Sequence, residues 1–78
     1  MFQTDGSGQS YVEVPLTDGS NEKIRATIIH NKSRGPVAVR LQIVEASGHL
    51  RPGPEVNVND FAALNQQLFT ALATASQP

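Results

Sequence analysis

The chain has 78 residues and a net charge of −1, and it contains neither cysteine nor tryptophan. A domain this small buries only roughly 60% of the surface of its unfolded chain, so association with a second copy is a common way to complete the core. The lack of cysteine excludes disulfides and thiolate metal sites. The polar opening segment MFQTDGSGQS is unlike a signal peptide or a membrane span, so the expected compartment is the cytoplasm and no membrane partner is expected.

The charges are unevenly distributed along the chain. All six basic residues lie between positions 23 and 51 with Glu45 as the one acid there, a net charge of +5, while the remainder holds six acids and no base. Such asymmetry indicates one basic surface on an otherwise acidic body. The alternative is a solvated face whose charges are neutralised by their neighbours.

The first element of the fold is predicted at residues 11–16. Residues 1–10 are rich in Gly and Ser and are expected to form a flexible lead. The segment YVEVPL then alternates apolar and polar side chains, which predicts a half-buried strand, and Pro15 places that strand at a sheet edge.

Two longer segments, KIRATIIH at 23–30 and VAVRLQIV at 37–44, also alternate with a period of two and predict two further strands. Each strand would present its aliphatic side chains on one face of the sheet. The opposite face would carry the polar side chains Lys23, Arg25, Thr27, Arg40 and Gln42.

A short strand and one helix are predicted for the rest of the chain. The segment EVNV at 55–58 predicts the strand, and Asn59 or Asp60 is the expected N-cap. In DFAALNQQLFTALATA, apolar residues recur at helical spacing, which predicts an amphipathic helix. The other face of this helix has almost no charge, so we expect a second subunit to cover the helix through an interface of Phe61, Leu64, Leu68, Phe69 and Leu72.

These elements predict an α+β fold, in which a curved four-stranded antiparallel sheet is followed by one C-terminal helix. Residues 11–75 would form a single domain, and residues 76–78 a frayed tail. No internal repeat divides the chain.

The sequence offers no support for catalysis, a metal or a cofactor. His30 and His49 lack the companion ligands of a metal site, and no motif such as His-Glu-x-x-His occurs. The segment DGSGQS lacks the lysine of a phosphate-binding loop, and no Gly-x-Ser-x-Gly sequence organises a nucleophile. We therefore expect a protein that is not an enzyme.

Binding is the stronger interpretation. The basic sheet face, with Lys32, Arg34 and Arg51 on adjoining loops, suits a phosphate backbone better than base edges. Proteins that grip single strands usually add stacking rings, and here Phe2 and Tyr11 are the candidates, both outside the basic window. The arginines of the sheet could instead pair with Glu13 or with a partner subunit.

From Lys23 to about Leu68, 46 of the 78 residues, the chain resembles the transcriptional positive cofactor four family, including its small prokaryotic and viral relatives. The resemblance is carried by KIRATII, a basic loop with a glycine, VAVRLQIV, the turn GHLRPG, the short strand VNV, and Asn59-Asp60 opening a helix. Arg40 matches the arginine of the family's second strand, and Arg51 takes the basic position of its Pro-Gly turn. Lys23 and Arg25 match basic residues of its first strand.

The resemblance implies a homodimer of curved four-stranded sheets joined through the C-terminal helices, with single-stranded DNA crossing both sheets. It also implies little sequence preference, and a role in transcription (as a coactivator), replication, recombination or repair, associated with a nucleoid or in an infected host cell. Arg25, Arg40 and Arg51 would be the main phosphate contacts. RNA or melted duplex remains an alternative ligand. The family's aromatic residues of the second strand are replaced by Gln42, Ile43 and Val44.

A second hypothesis is a dimeric protein-interaction module that binds a polymerase or a regulatory protein, with weak or no DNA binding.

The stretch SGHLRPGPEVNVNDF contains unusually rigid turn chemistry. Pro52 restricts Arg51 to extended conformations, and Gly53 is expected to permit a chain reversal. The sequence therefore predicts that Arg51 is held at the rim of the sheet, although an ordinary connection with an incidental arginine is the alternative.

Overall fold

The structure of the chain, a computed structural model, describes residues 2–75, so Met1 and the predicted tail 76–78 lie outside the described residues. The described chain forms one antiparallel sheet of six strands and one helix. Their bounds are β1 Gln3–Thr4, β2 Ser10–Pro15, β3 Lys23–Asn31, β4 Gly35–Val44, β5 Leu50–Arg51, β6 Glu55–Asn57 and α1 Val58–Ala75. The predicted α+β class, antiparallel sheet and single C-terminal helix are confirmed, whereas the sheet has six strands in place of the predicted four.

The strand order is β1-β2-β3-β4-β5, and β6 pairs with β4 alongside β5. The long β3–β4 pair forms the centre of the sheet, because β4 has β3 on one side and β5 followed by β6 on the other. Since β1 pairs only with Tyr11 and Ser10, the rest of β2 is an edge, as Pro15 predicted.

β1 lies within the segment expected to be a flexible lead. Its turn is fixed by Asp5, whose Oδ1 accepts hydrogen bonds from the Gln9 and Ser7 backbone N–H groups (2.9 and 3.0 Å) and from the Ser7 hydroxyl (2.9 Å). The bonds from Gln9 and Ser7 hold the pKa of the Asp5 carboxyl below its ordinary value. A charge-assisted turn therefore replaces the apolar pattern that usually signals a hairpin.

The register defines two faces. Residues directly opposite one another share a face, and Tyr11 lies opposite Thr27, which lies opposite Arg40. In the next row Glu13, Arg25 and Gln42 are neighbours. We call this surface the polar face; its polar members are Tyr11, Glu13, Lys23, Arg25, Thr27, Arg40, Gln42 and Glu55, and the apolar Ile29, Ala38 and Val44 share it. The other surface, the aliphatic face, carries Val12, Val14, Ile24, Ala26, Ile28, Val39, Leu41, Ile43 and Val56.

A one-residue bulge separates β5 from β6. Ile43 lies opposite Arg51 and Arg40 opposite Glu55, so three steps along β4 match four steps along its partner. The extra residue inverts the alternation. As a result, Glu55 lies on the polar face, while Arg51 belongs to the row of Ile43 on the aliphatic face.

The bulge explains Gly53. The chain runs close alongside β4 here, where the Leu41 N–H donates to the Pro54 carbonyl (2.9 Å), and a Cβ on Gly53 would collide with the Leu41 carbonyl. Its φ is not among the positive values, so the glycine is needed for this close approach rather than for the predicted chain reversal.

The helix begins earlier than predicted. The Asn57 Oδ1 accepts a hydrogen bond from the Asn59 N–H (2.9 Å), which makes Asn57 the N-cap instead of Asn59 or Asp60. The helix contacts β4 and β6, and Phe61 is half-buried. The later apolar positions remain exposed, by 58% at Leu64, 49% at Leu68, 68% at Phe69 and 55% at Leu72.

The core of one chain is small. Among the described residues Val39 is the buried apolar side chain, at 8% exposure, and Thr27 the buried polar one, at 2%. The radius of gyration is 14.5 Å, compared with about 11–12 Å for a compact domain of this length. No helix within residues 2–75 combines the length and the apolar character needed to cross a membrane.

Candidate nucleic-acid interface

Thr27 marks the centre of the polar face. It is flanked across the sheet by Tyr11 on β2 and Arg40 on β4, and these longer side chains surround it. Within the described residues no buried side-chain nitrogen or oxygen lacks a hydrogen-bond partner. The strands therefore hold these polar side chains without leaving a buried one unpaired.

Arg25 is held by two neighbours. Its Nη2 lies 2.7 Å and its Nε 2.8 Å from the Glu13 Oε2, and its guanidinium lies 4.0 Å from the centroid of the Tyr11 ring. The side chains of Arg25 and Glu13 are only 17% and 14% exposed. One of the alternatives open in the sequence, that a sheet arginine pairs with Glu13, is thus what the structure shows for Arg25. An arginine paired in this way holds the neighbouring side chains in place and is poorly available to bind a new ligand.

Arg40 and Lys23 are more accessible. Arg40 pairs with Glu55 at 2.9 Å, with side chains 39% and 48% exposed, and Lys23 approaches Glu13 at 4.0 Å while 52% exposed. Exposed pairs of this kind contribute about 0–1 kcal/mol. Both cations can therefore exchange a carboxylate for a phosphate at little cost.

Lys32 and Arg34 lie on the exposed loop between β3 and β4. Asn31 orders this loop, since its Oδ1 accepts from the Ser33 N–H (3.0 Å) and the Ser33 hydroxyl (2.9 Å). Among residues 2–75, no carboxylate forms an ion pair with Lys32 or Arg34. Arg34 also lines a polar groove of about 270 Å³ with Asn57 and Asn59. These two cations lie at the hairpin end of the β3–β4 pair.

Arg51 does not join the other basic residues. The bulge places it in the row of Ile43, where its Nη2 lies 3.2 Å from the Glu22 Oε1 and its Nε 3.3 Å from the Glu45 Oε2. Arg51 thus ties the turns before β3 and after β4 together. This position is consistent with the predicted place at the sheet rim, but it is on the other side from Arg40.

The charge asymmetry of the sequence is reduced by folding. Glu13, Glu22 and Glu55, all outside the basic window, return to pair with its arginines. The polar face itself holds three cations and two carboxylates, and the hairpin loop adds Lys32 and Arg34. The net charge of this surface is therefore about +3, less than the linear window indicates.

The ion-pair partners Glu13 and Glu55 differ in how well the sequence predicts them. Glu13 shares the parity of Tyr11 on a strand next to Arg25, which is a usable signal. Glu55 was missed, because its place beside Arg40 depends on the bulge.

The histidines lie apart from this surface's centre, His30 near the end of β3 and His49 just before β5. Within the described residues, no group of three or more His, Asp or Glu side chains is placed to hold a metal ion.

Comparison of the chain with known protein families, curated proteins and solved structures finds no match. The resemblance to the transcriptional positive cofactor four family stays a prediction from the residues that carry it.

Proposed function

We propose that the protein is a non-catalytic homodimer that binds single-stranded nucleic acid, DNA above all, with little sequence preference, in transcription, replication, recombination or repair. The observation that carries the proposal is the polar face, which brings Lys23, Arg40, Gln42 and Tyr11 onto one accessible surface that ends at the Lys32/Arg34 loop. β3 has nine residues and is therefore about 30 Å long. Cations along such a line match the backbone of a flexible strand of several nucleotides.

The ion pairs sort the cations by role. Lys23, Lys32, Arg34 and Arg40 are exposed enough to contact phosphates, since displacing Glu55 from Arg40 costs little. Arg25 keeps Glu13 and Tyr11 in place. Gln42 supplies a neutral hydrogen-bonding group between them.

The dimer is supported by the surface that a single chain leaves exposed. Its accessible surface is 5926 Å², whereas a folded monomer of 8.4 kDa is expected to expose about 4,600 Å². The excess, about 1,300 Å², is more than one partner's share of a standard interface, about 800 Å². The exposed apolar side chains lie on the helix, at Leu64, Leu68, Phe69 and Leu72, and on the aliphatic face at Val14 and Ile24.

A second candidate is a dimeric protein-interaction module with weak or no nucleic-acid binding. The observation in its favour is that Arg25, Arg40 and Arg51 each already have a carboxylate partner. The exposed apolar surface would then receive a polymerase or a regulatory protein.

Fluorescence anisotropy with labelled single-stranded and duplex oligonucleotides at low salt separates the two candidates. We expect the single strand to bind, and Arg40→Ala to weaken binding several-fold. Arg51→Ala is the matched control, because it also removes one guanidinium from an exposed ion pair but on the other side of the sheet. Absence of binding, or equal losses in both variants, would contradict the proposed interface. Retention of a polymerase or regulatory protein without any nucleic-acid signal would favour the second candidate.

Glu55→Gln tests the exchange of partners at Arg40. The substitution keeps the shape of the side chain but removes the competing carboxylate, so single-strand affinity should rise several-fold. Glu22→Gln, the corresponding change beside Arg51, should leave affinity nearly unchanged. A weaker Glu55→Gln complex would show that Arg40 does not contact phosphate.

A further inference from the structure

Tyr11 has an unusual position for the one tyrosine of the chain. The sequence also contains three phenylalanines and no tryptophan. Phe61 and Phe69 belong to the helix, and Phe2 precedes β1, whose residue Gln3 lies opposite Tyr11. Within residues 2–75, Tyr11 is the one aromatic residue that lies in a strand, and it lies on the polar face.

The ring is ordered before any ligand arrives. Arg25 lies 4.0 Å from the ring centroid and is itself fixed by Glu13 at 2.7 Å. At the outer end of the ring, the Tyr11 hydroxyl donates a hydrogen bond to the Gln3 Oε1 (2.9 Å). These contacts restrict the motion of the Tyr11 side chain, so less side-chain entropy is lost when a ligand binds to the ring.

We propose that the Tyr11 ring, held in place by Arg25, is a stacking platform for one unpaired base of the bound strand. The inference rests on the proposed function. A base has a π-face whatever its identity, so an aromatic ring binds it without sequence preference. This surface thereby obtains a stacking group from β2, although the second basic strand, with Gln42, Ile43 and Val44, has none.

The phosphate contacts lie at a matching distance. Arg40 is in the same row as Tyr11, two strands away, which is about 10 Å across the sheet. A nucleotide stacked at Tyr11 can therefore reach the long side chain of Arg40 with its phosphate. Because bases in a duplex are already paired and stacked on one another, the platform favours single strands and determines the ratio of single-strand to duplex affinity.

Intrinsic fluorescence tests this platform directly, because all tyrosine emission comes from Tyr11 and tryptophan is absent. The full chain is titrated with an oligothymidylate and, separately, with an abasic oligonucleotide of the same length. We expect the oligothymidylate to quench the emission strongly and the abasic strand to bind with little quenching. Binding seen by anisotropy without quenching would overturn the platform while leaving the proposed function intact.

Two substitutions separate stacking from a structural role. Tyr11→Phe keeps the ring but loses the bond to Gln3, and should bind within about twofold of the wild type. Tyr11→Leu keeps apolar bulk on the strand without a ring, and should lose about 5- to 150-fold in affinity for the oligothymidylate, the range that base stacking supplies. Both should bind the abasic strand and duplex as the wild type does.

The outcomes that contradict the proposal are distinct. If Tyr11→Leu binds all ligands equally less well, with circular dichroism unchanged, Tyr11 supports the surface and stacks no base. If Tyr11→Leu binds oligothymidylate as tightly as the wild type, no platform exists. If the wild-type protein binds no oligonucleotide at low salt, the proposed function itself fails, and the platform fails with it.

Discussion

Leu68→Ala should weaken the proposed dimer. Leu68 lies in the apolar stripe of the helix and is 49% exposed in a single chain. Burying a whole leucine side chain contributes about 1.5–3 kcal/mol, so the half still exposed contributes about 1 kcal/mol on association. A two-fold interface counts this residue twice, which gives about 2 kcal/mol, or roughly a 30-fold rise in the dimer dissociation constant.

Sedimentation equilibrium over a range of protein concentrations measures this constant. Gln66→Ala is the matched control, because Gln66 is exposed on the same helix but lies away from the stripe at helical spacing. We expect the control to retain the affinity of the wild type, since alanine favours the helix. A wild-type protein that stays monomeric throughout the micromolar range, or an unchanged constant for Leu68→Ala, would refute the reasoning.

Two further predictions concern the fold itself. Gly53→Ala should destabilise the chain by about 1–3 kcal/mol, because the added Cβ meets the Leu41 carbonyl. Gly6→Ala, with no atom near its Cβ, should have little effect. Urea unfolding measures both variants, and equal stabilities would contradict the close approach of Gly53 to β4. Acid should open the β1–β2 turn: hydrogen bonds from Gln9 and Ser7 lower the pKa of Asp5, so the stabilisation is complete above the ordinary value of 3.8 and is lost as the pH falls below it. Amide exchange at Gln9, corrected for its intrinsic pH dependence, should become faster as the pH falls below 3.8, and unchanged protection there would exclude this role.

The regular elements of the fold could be predicted because their signals are local. The period-two alternation of β2, β3 and β4 and the helical spacing from Phe61 to Leu72 depend on residues that are close in sequence. β1 and β5 have no such signal. Each has two residues, and each exists because an ordered turn brings it to a neighbouring strand.

The site was predicted less completely, for a related reason. Period-two alternation places Lys23, Arg25 and Arg40 on one face. The alternation does not continue across the bulge, which moves Arg51 to the aliphatic face. The same bulge brings Glu55 to Arg40 across 15 positions of sequence. Pairing over such separations requires the register, which single-residue patterns do not contain.

The salt dependence of single-strand binding tests the central claim most directly. With Lys23, Lys32, Arg34 and Arg40 as the phosphate contacts of each subunit, the slope of log K against log salt concentration should be about −3 per subunit, at roughly −0.7 for each neutralised phosphate. Arg40→Ala should reduce that slope by about 0.7, and Arg51→Ala should leave it unchanged. Binding that is absent at low salt, or that does not weaken as salt is added, would contradict a phosphate-binding polar face.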